Sequence, residues 1–269
     1  MLNVERFKRK EKYFFDDLVE IMAILRSENG CPWDKEQDHH SIRNNFIEEV
    51  YEAVEAIDTD NVELLKEELG DVMLQVVFHS RMSQEENKFN IDDVCDGVCK
   101  KLILRHPHIF ADAKAGNSQE VLMRWDEIKK VEKSQKSVTD TLNSVSKALP
   151  SLIRSQKVQK RAAKVGFDWE NTDGALNKLH EEIQELENAI KKNNKEEINE
   201  ELGDLLFSCV NVARFVDCDA ENSLYNACDK FISRFEKLEN QAIKEGKNLS
   251  EMSLAEMDKL WDKIKLENK

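Results

Sequence analysis

Eight carboxylates recur in this 269-residue chain as two matching quartets: Glu49, Glu52, Glu68 and Asp71, then Glu182, Glu185, Glu201 and Asp204. Each reads Glu-x-x-Glu, a 15-residue gap, then Glu-x-x-Asp. At about 100° per residue, a spacing of three puts both side chains on one helix face, about 60° apart. The gap holds a polar break, Asp58-Thr59-Asp60 or Lys191-Lys192-Asn193-Asn194, short enough to fold one helix back on the other. Four carboxylates are then expected to converge between two antiparallel helices. Ionised and unpaired they repel, so the cluster needs protons or cations. Hard oxygen ligands select Mg²⁺, with Mn²⁺ as a substitute, over zinc. Mg²⁺ takes only one or two protein carboxylates and completes its shell with water and phosphate oxygens, so four carboxylates point to more than one ion and a phosphorylated substrate.

One such quartet carries little weight in a chain with 54 acidic residues, where a solvated face with surface ion pairs would explain it. Duplication is what raises it to a site. A shift of 133 residues aligns positions 47–78 with 180–211, and 13 of those 32 positions are identical, against about two expected by chance. The run Glu67-Glu68-Leu69-Gly70-Asp71 repeats as Glu200-Glu201-Leu202-Gly203-Asp204. Glycine costs about 1 kcal/mol inside a helix, so Gly70 and Gly203 suggest close approach of a backbone or a ligand. With small register shifts the repeat continues: the segment from Lys101 to Arg105 echoes that from Lys230 to Arg234, and Trp125 echoes Trp261.

The elements that position these residues read as helices. Only 3 prolines and 8 glycines interrupt the chain, and alternating strand patterns are scarce. Leu69, Val72, Met73, Val76 and Val77 form an apolar stripe at helical spacing, as do Leu202, Leu205, Leu206, Cys209, Val210 and Ala213. The expected architecture is all-α, with two homologous helical-bundle domains over residues 1–135 and 151–269 and a polar linker over 136–150.

The formal charge of −14 disfavours a general nucleic-acid binder, and a small anionic substrate would need metal ions. No apolar run nears the roughly 18 residues that span a bilayer, so no membrane partner is expected. Six cysteines without a CxxC pair, and charges from Glu5 to Lys10 in place of a secretory signal, suggest a reduced, cytoplasmic protein.

The two quartets, the ELGD cores, the segments 30–34 (GCPWD), 105–110 (RHPHIF) and 165–169 (VGFDW) together resemble MazG over nearly the whole chain. MazG proteins are nucleoside triphosphate pyrophosphohydrolases of the all-α NTP pyrophosphatase superfamily. The resemblance implies Mg²⁺-dependent hydrolysis of an NTP to the monophosphate and pyrophosphate, in a homodimer. It makes Glu182, Glu185, Glu201 and Asp204 the metal ligands of the second domain, and it associates Lys178, Lys230, Arg234 and Trp261 with nucleotide binding. Lys230 and Arg234, at i and i+4, lie on one face where they can compensate phosphate oxygens. The first domain has Lys101, Arg105 and Trp125 at the equivalent places, but Asn45 stands where the second has Lys178. Family behaviour also favours the second domain as the principal hydrolytic one. Glu181 and Glu200 are candidate general bases.

Other metal chemistry fits poorly. A ferritin-like di-iron bundle needs two Glu-x-x-His pairs and only Glu36 with His39 fits, while a zincin fails because Gln184 replaces the second histidine after His180-Glu181. His106 and His108 flank Pro107 in a turn, where a capping or packing role is expected and a substrate role is the alternative. The basic stretch Arg154, Lys157, Lys160, Arg161 and Lys164 is a solvated face that could also draw in a triphosphate. The alternative from another class is a helical adaptor with structural Mg²⁺ sites and no turnover.

Overall fold

The computed structural model describes residues 4–111, 117–132 and 135–267, and every regular element among them is helical. The chain divides into two compact units, 1–129 and 130–269.

In the first unit, α1 (Phe15–Leu25) is capped by Asp17 of its first turn, whose carboxylate accepts from the Phe14 amide at 2.9 Å and pairs with Lys10. A tight turn leads into α2 (Pro32–Glu36). Gly30 is required there, because a Cβ would lie 2.1 Å from the Leu25 carbonyl oxygen. The long pair α3 (Arg43–Asp58) and α4 (Val62–Glu85) follows. Its turn has Asp60 in the left-handed region, and Asn61 caps α4 by accepting from the Leu64 amide. Met22, Ile42, Val77, Phe78 and Met82 form the core, with Leu18, Val19, Leu25, Leu74 and Ile91 packed around them. This core gathers on the C-terminal half of α4 and leaves the N-terminal half, with Glu68 and Asp71, for the site. Three further helices complete the series: α5 (Ile91–Arg105), α6 (Pro107–Phe110) and α7 (Ser118–Glu132).

The second unit repeats the long hairpin. α10 (Thr172–Lys192) and α11 (Lys195–Phe215) are joined by Asn193, again left-handed, and by Asn194, which accepts from the Glu196 amide. On α10 the buried residues are Ala175, Glu182 and Ala189, seven apart, so small side chains flank a buried glutamate. Ahead of the hairpin, α9 (Ser151–Ala163) is tied to the α11 region: Gln159 donates to the Phe207 carbonyl at 2.8 Å and Gln156 to the Cys218 carbonyl at 3.1 Å. After it, α12 (Ala220–Lys244) and α13 (Leu254–Glu267) enclose a second core of Leu238, Ala242, Leu260 and Ile264.

Part of the stretch read as a linker is folded. Residues 138–143 form α8 (Val138–Asn143), closed by a reciprocal Ser137/Asp140 cap. Arg161 of α9 donates to Ser144 Oγ at 2.7 Å, and Val145 is buried. Its Ser, Thr and Asp content, typical of loops, here serves caps and short turns.

Candidate active site

Each long hairpin gathers three carboxylates, one from its first helix and two from its second. Glu49, Glu68 and Asp71 can each offer an oxygen within 4.8 Å of the others, and so can Glu182, Glu201 and Asp204. The fourth member expected in each set, Glu52 or Glu185, is exposed and lies outside that group. Helix rotation accounts for this, because Glu182 points at α11 while Glu185, about 60° around α10, points toward solvent. Glu185 still acts on the cluster. Burial raises the Glu201 pKa, and the Glu185 charge is the largest electrostatic contribution in the same direction, ahead of Glu182 and Asp204.

Among the described residues the most buried carboxylate of the clusters is Glu182, 4% exposed; in the first unit it is Glu68, at 8%. Glu182 receives Lys178 Nζ at 2.7 Å, one turn back on α10, and Lys178 also donates to Glu181 at 2.9 Å. Those two bonds raise the lysine pKa well above its ordinary value. Among the described residues no such cation pairs with Glu49. Burial and the charges of Asp71, Glu52 and Glu48 raise its pKa, and Glu52 adds a hydrogen bond favouring the protonated form. Glu68 is raised in the same way, by burial first and then by Glu52 and Asp71.

The remaining basic and aromatic candidates stand on other helices. Lys230 and Arg234 stand one turn apart on α12, and among the described residues no hydrogen bond or ion pair joins either to the cluster. Trp261 packs on the α12–α13 core with its ring centroid 5.2 Å from that of Phe231. In the first unit Lys101 is exposed, whereas Arg105 is buried with its guanidinium 5.7 Å from the Trp125 ring centre, and His106 meets Trp125 edge-on at 5.1 Å. Among the described residues, Gly70 and Gly203 are closely approached by no other segment. A Cβ at either would have no neighbour inside 4 Å, so no backbone among the described residues makes the close approach expected of them.

The family model described as the MazG nucleotide pyrophosphohydrolase domain matches twice, over residues 37–110 and 171–238, each match spanning one hairpin and its cluster. The chain belongs to the MazG family. It is 42% identical over 251 residues to the Thermotoga maritima nucleoside triphosphate pyrophosphohydrolase/pyrophosphatase MazG, covering 93% of this chain and 95% of that protein. It is likewise 42% identical over 253 residues to the Escherichia coli K12 nucleoside triphosphate pyrophosphohydrolase, covering 93% and 96%. An uncharacterized Bacillus subtilis protein, YabN, is 44% identical over 261 residues, which span 96% of this chain and 53% of that one.

Within this MazG chain the first repeat holds a feature that no spacing rule revealed. His39, in the loop before α3, and His79, on α4, stack with ring planes 3° apart and face each other through Nδ1 atoms at 2.7 Å. Ser83 Oγ is 3.2 Å from His39 Nε2. Two Nδ1 atoms in contact require one protonated and one bare, so the pair is held by alternate tautomers and resists double protonation. His79 Nε2 and, one turn earlier, Gln75 Oε1 are buried without a hydrogen-bond partner among the described residues. Burial, then the neighbouring His39, lower the His79 pKa below 6.5. Under the 133-residue shift the second MazG repeat has Thr172, Val212, Val216 and Ser208 at the places of His39, His79, Ser83 and Gln75. The 40-residue separation of the two histidines hid the pair, and only the contrast between repeats signals it.

Proposed function

We propose that this protein hydrolyses nucleoside triphosphates, ribo- or deoxyribo-, to the monophosphate and pyrophosphate, with Mg²⁺ held chiefly at the C-terminal cluster of a cytoplasmic homodimer. Nucleotide-pool house-cleaning or a stress response would be its setting. The observation that carries the reading is the second cluster: three convergent carboxylates, one of them buried, beside a lysine already engaged with the acids. The names of the Thermotoga and Escherichia relatives support the same reaction.

The donor set fits the ion. All candidate ligands are carboxylate oxygens, which suit Mg²⁺ or Mn²⁺, and the raised Glu201 pKa reflects negative charge that a cation would relieve. Glu182, Glu185, Glu201 and Asp204 would hold it. When bound, the ion supplies concentrated positive charge that offsets phosphate oxygens and acidifies water. Lys178, released from Glu182 as cation occupies the cluster, would bind a phosphate oxygen, and Lys230 and Arg234 would compensate charge developing on the transferred group. Trp261 would flank the nucleotide. Glu181 or Glu200, both exposed, would accept the proton of the attacking water. In the first repeat Glu49, Glu52, Glu68 and Asp71 would hold metal without a matching lysine.

Dimerisation is supported by apolar side chains left uncovered on the hairpins. Ile183, Leu202, Leu206 and Phe207 on α10 and α11, and Ile47, Val50, Val54 and Leu69 on α3 and α4, are each between about two-fifths and just over half exposed. The open space at Gly203, beside Leu202, lies in this region.

Product analysis with the eight common NTPs and dNTPs tests the reading. Mg²⁺-dependent monophosphate and pyrophosphate are expected, abolished by EDTA and by Glu182→Ala. Absence of hydrolysis from the unaltered protein would sink it in favour of an adaptor with structural Mg²⁺ sites. Sedimentation of the full chain as a monomer at micromolar concentration would remove the homodimer.

A further inference from the structure

We infer that His39 and His79 bind one divalent cation of the Zn²⁺ class through their Nδ1 atoms, clasping the segment before α3 to α4 in the first repeat. Gln75 and Ser83 supply the acceptors that hold the two rings in place for it. The site is separate from the carboxylate clusters and stands or falls apart from the proposed hydrolysis.

The approach of the rings is the first support. Their planes are 3° apart, their centroids 5.0 Å apart and their Nδ1 atoms 2.7 Å apart, so the two nitrogens are the atoms that meet. Imidazole nitrogen suits Zn²⁺, Cu²⁺ and Ni²⁺, whereas the hard Mg²⁺ prefers the carboxylates. Two Zn–N bonds of about 2.0 Å at a tetrahedral angle need the nitrogens roughly 3.3 Å apart, an opening of about 0.6 Å. The His39 side can supply it, since that ring stands on a turn while His79 is fixed within the long helix α4. Two protein ligands leave the remaining coordination positions to water.

The far edges of the rings give independent support. Without metal, the bond between the Nδ1 atoms keeps one ring protonated there and leaves that ring's Nε2 bare. A cation that takes both Nδ1 atoms moves this proton to the same ring's Nε2. Both rings then present Nε2–H, with no net loss of a proton, and each needs an acceptor, as metal-bound imidazoles generally find. Both acceptors are in place. Ser83 Oγ lies 3.2 Å from His39 Nε2. Gln75, only 7% exposed, holds its Oε1 buried and without a hydrogen-bond partner among the described residues, one turn before His79, whose buried Nε2 is equally unpaired. A buried acceptor and a buried ring nitrogen left bare both cost stability, and the metal-bound tautomer turns them into a donor and an acceptor one turn apart.

The surroundings set this site apart. His79 stands eight residues beyond Asp71 on α4, roughly 12 Å along the axis at a rise of about 1.5 Å per residue, so it lies clear of the first carboxylate cluster. The Phe46 ring, with its centroid 5.5 Å from that of His79, covers one side. The second repeat has Thr172 and Val212 in place of the two histidines, so it shares the carboxylates without this site.

The test is equilibrium dialysis of the full-length chain against low-micromolar Zn²⁺, with millimolar Mg²⁺ present to occupy the carboxylates and bound zinc counted per chain. His39→Ala and His79→Val should each retain one equivalent less than the unaltered protein. His108→Ala, in the other close histidine pair, should match the unaltered protein. Zn²⁺ should also raise the unfolding temperature of the first unit more in the unaltered protein than in His39→Ala. Equal zinc contents in the unaltered protein, His39→Ala and His79→Val overturn the site and leave a hydrogen bond between tautomers. Loss in His79→Val alone overturns it as well, because that pattern belongs to disturbed packing of α4. Circular dichroism checks the helix content, and if His79→Val misfolds, His39→Ala decides the matter by itself.

Discussion

The two carboxylate clusters share ligand types and spacing, yet their electrostatics differ. In the second, Lys178 sits on Glu182 and supplies a permanent cation inside the acidic set. In the first, Asn45 replaces that lysine and two glutamates, Glu49 and Glu68, have raised pKa values. An uncompensated cluster is a good trap for divalent ions but presents a net negative face to a triphosphate. A cluster with a lysine in it pulls less on the metal and more on the phosphate. Duplicated carboxylates therefore need not carry duplicated function: on the proposed reading, a helix turn's worth of neighbours sets whether the cluster favours the cation or the anion.

The harshest way to break this comparison is to remove one buried ligand from each repeat. Glu182→Ala should lower turnover by roughly 100-fold or more, on the scale by which disturbing a metal's ligand environment reduces affinity or activity. Glu68→Ala, also at a buried carboxylate, should leave more than half of the activity. Equal losses in a phosphate-release assay would show that both clusters turn over substrate and would end the division of labour.

Lys178 gives a sharper measure. Changing Lys178→Gln should raise KM about tenfold, consistent with the loss of one charge-assisted phosphate contact, and should tighten the apparent Mg²⁺ affinity because Glu182 loses its internal competitor. A variant that weakens both metal and substrate binding would mean that the lysine holds Glu182 in place rather than competing for it. The reverse change, Asn45→Lys in the first repeat, should weaken Mg²⁺ binding there by a few-fold, measured by titration with Glu182→Ala in the background.

The quartets and the repeat were legible because they are local: a spacing of three, a fixed gap and a 133-residue period need no tertiary information. The helices were legible for the same reason, from apolar stripes on α4 and α11. The rotation that leaves Glu52 and Glu185 outside the tight group was also within reach, because the same 60° that puts two side chains on one face also separates them when the partner helix approaches from one side. The α8 segment was obscured because Ser137 and Asp140 suit a helix cap as well as a loop. The His39–His79 pair lay beyond reach, since it depends on how the loop before α3 folds over α4.

That pair supplies the smallest expected effect, and one confined to the first repeat. His79 has a folded-state pKa below 6.5 because burial and His39 both oppose its protonation. In the window just below pH 6.5 the unfolded chain binds more protons at this position than the folded one, so the first unit loses stability as pH falls through that window. His79→Val, which installs the residue found at Val212 in the second repeat, removes the titration. Thermal unfolding of the full chain at pH 7.5, 6.5 and 5.5 should show the unaltered protein's first-unit transition falling by a few degrees more than the variant's. The comparison rests on the slopes, so a lower melting temperature of the variant at every pH, from the lost contacts with His39 and Phe46, does not disturb it. Parallel slopes would mean that the paired rings accept a proton freely, and that the polar network of the first repeat adds no acid sensitivity that the second repeat lacks.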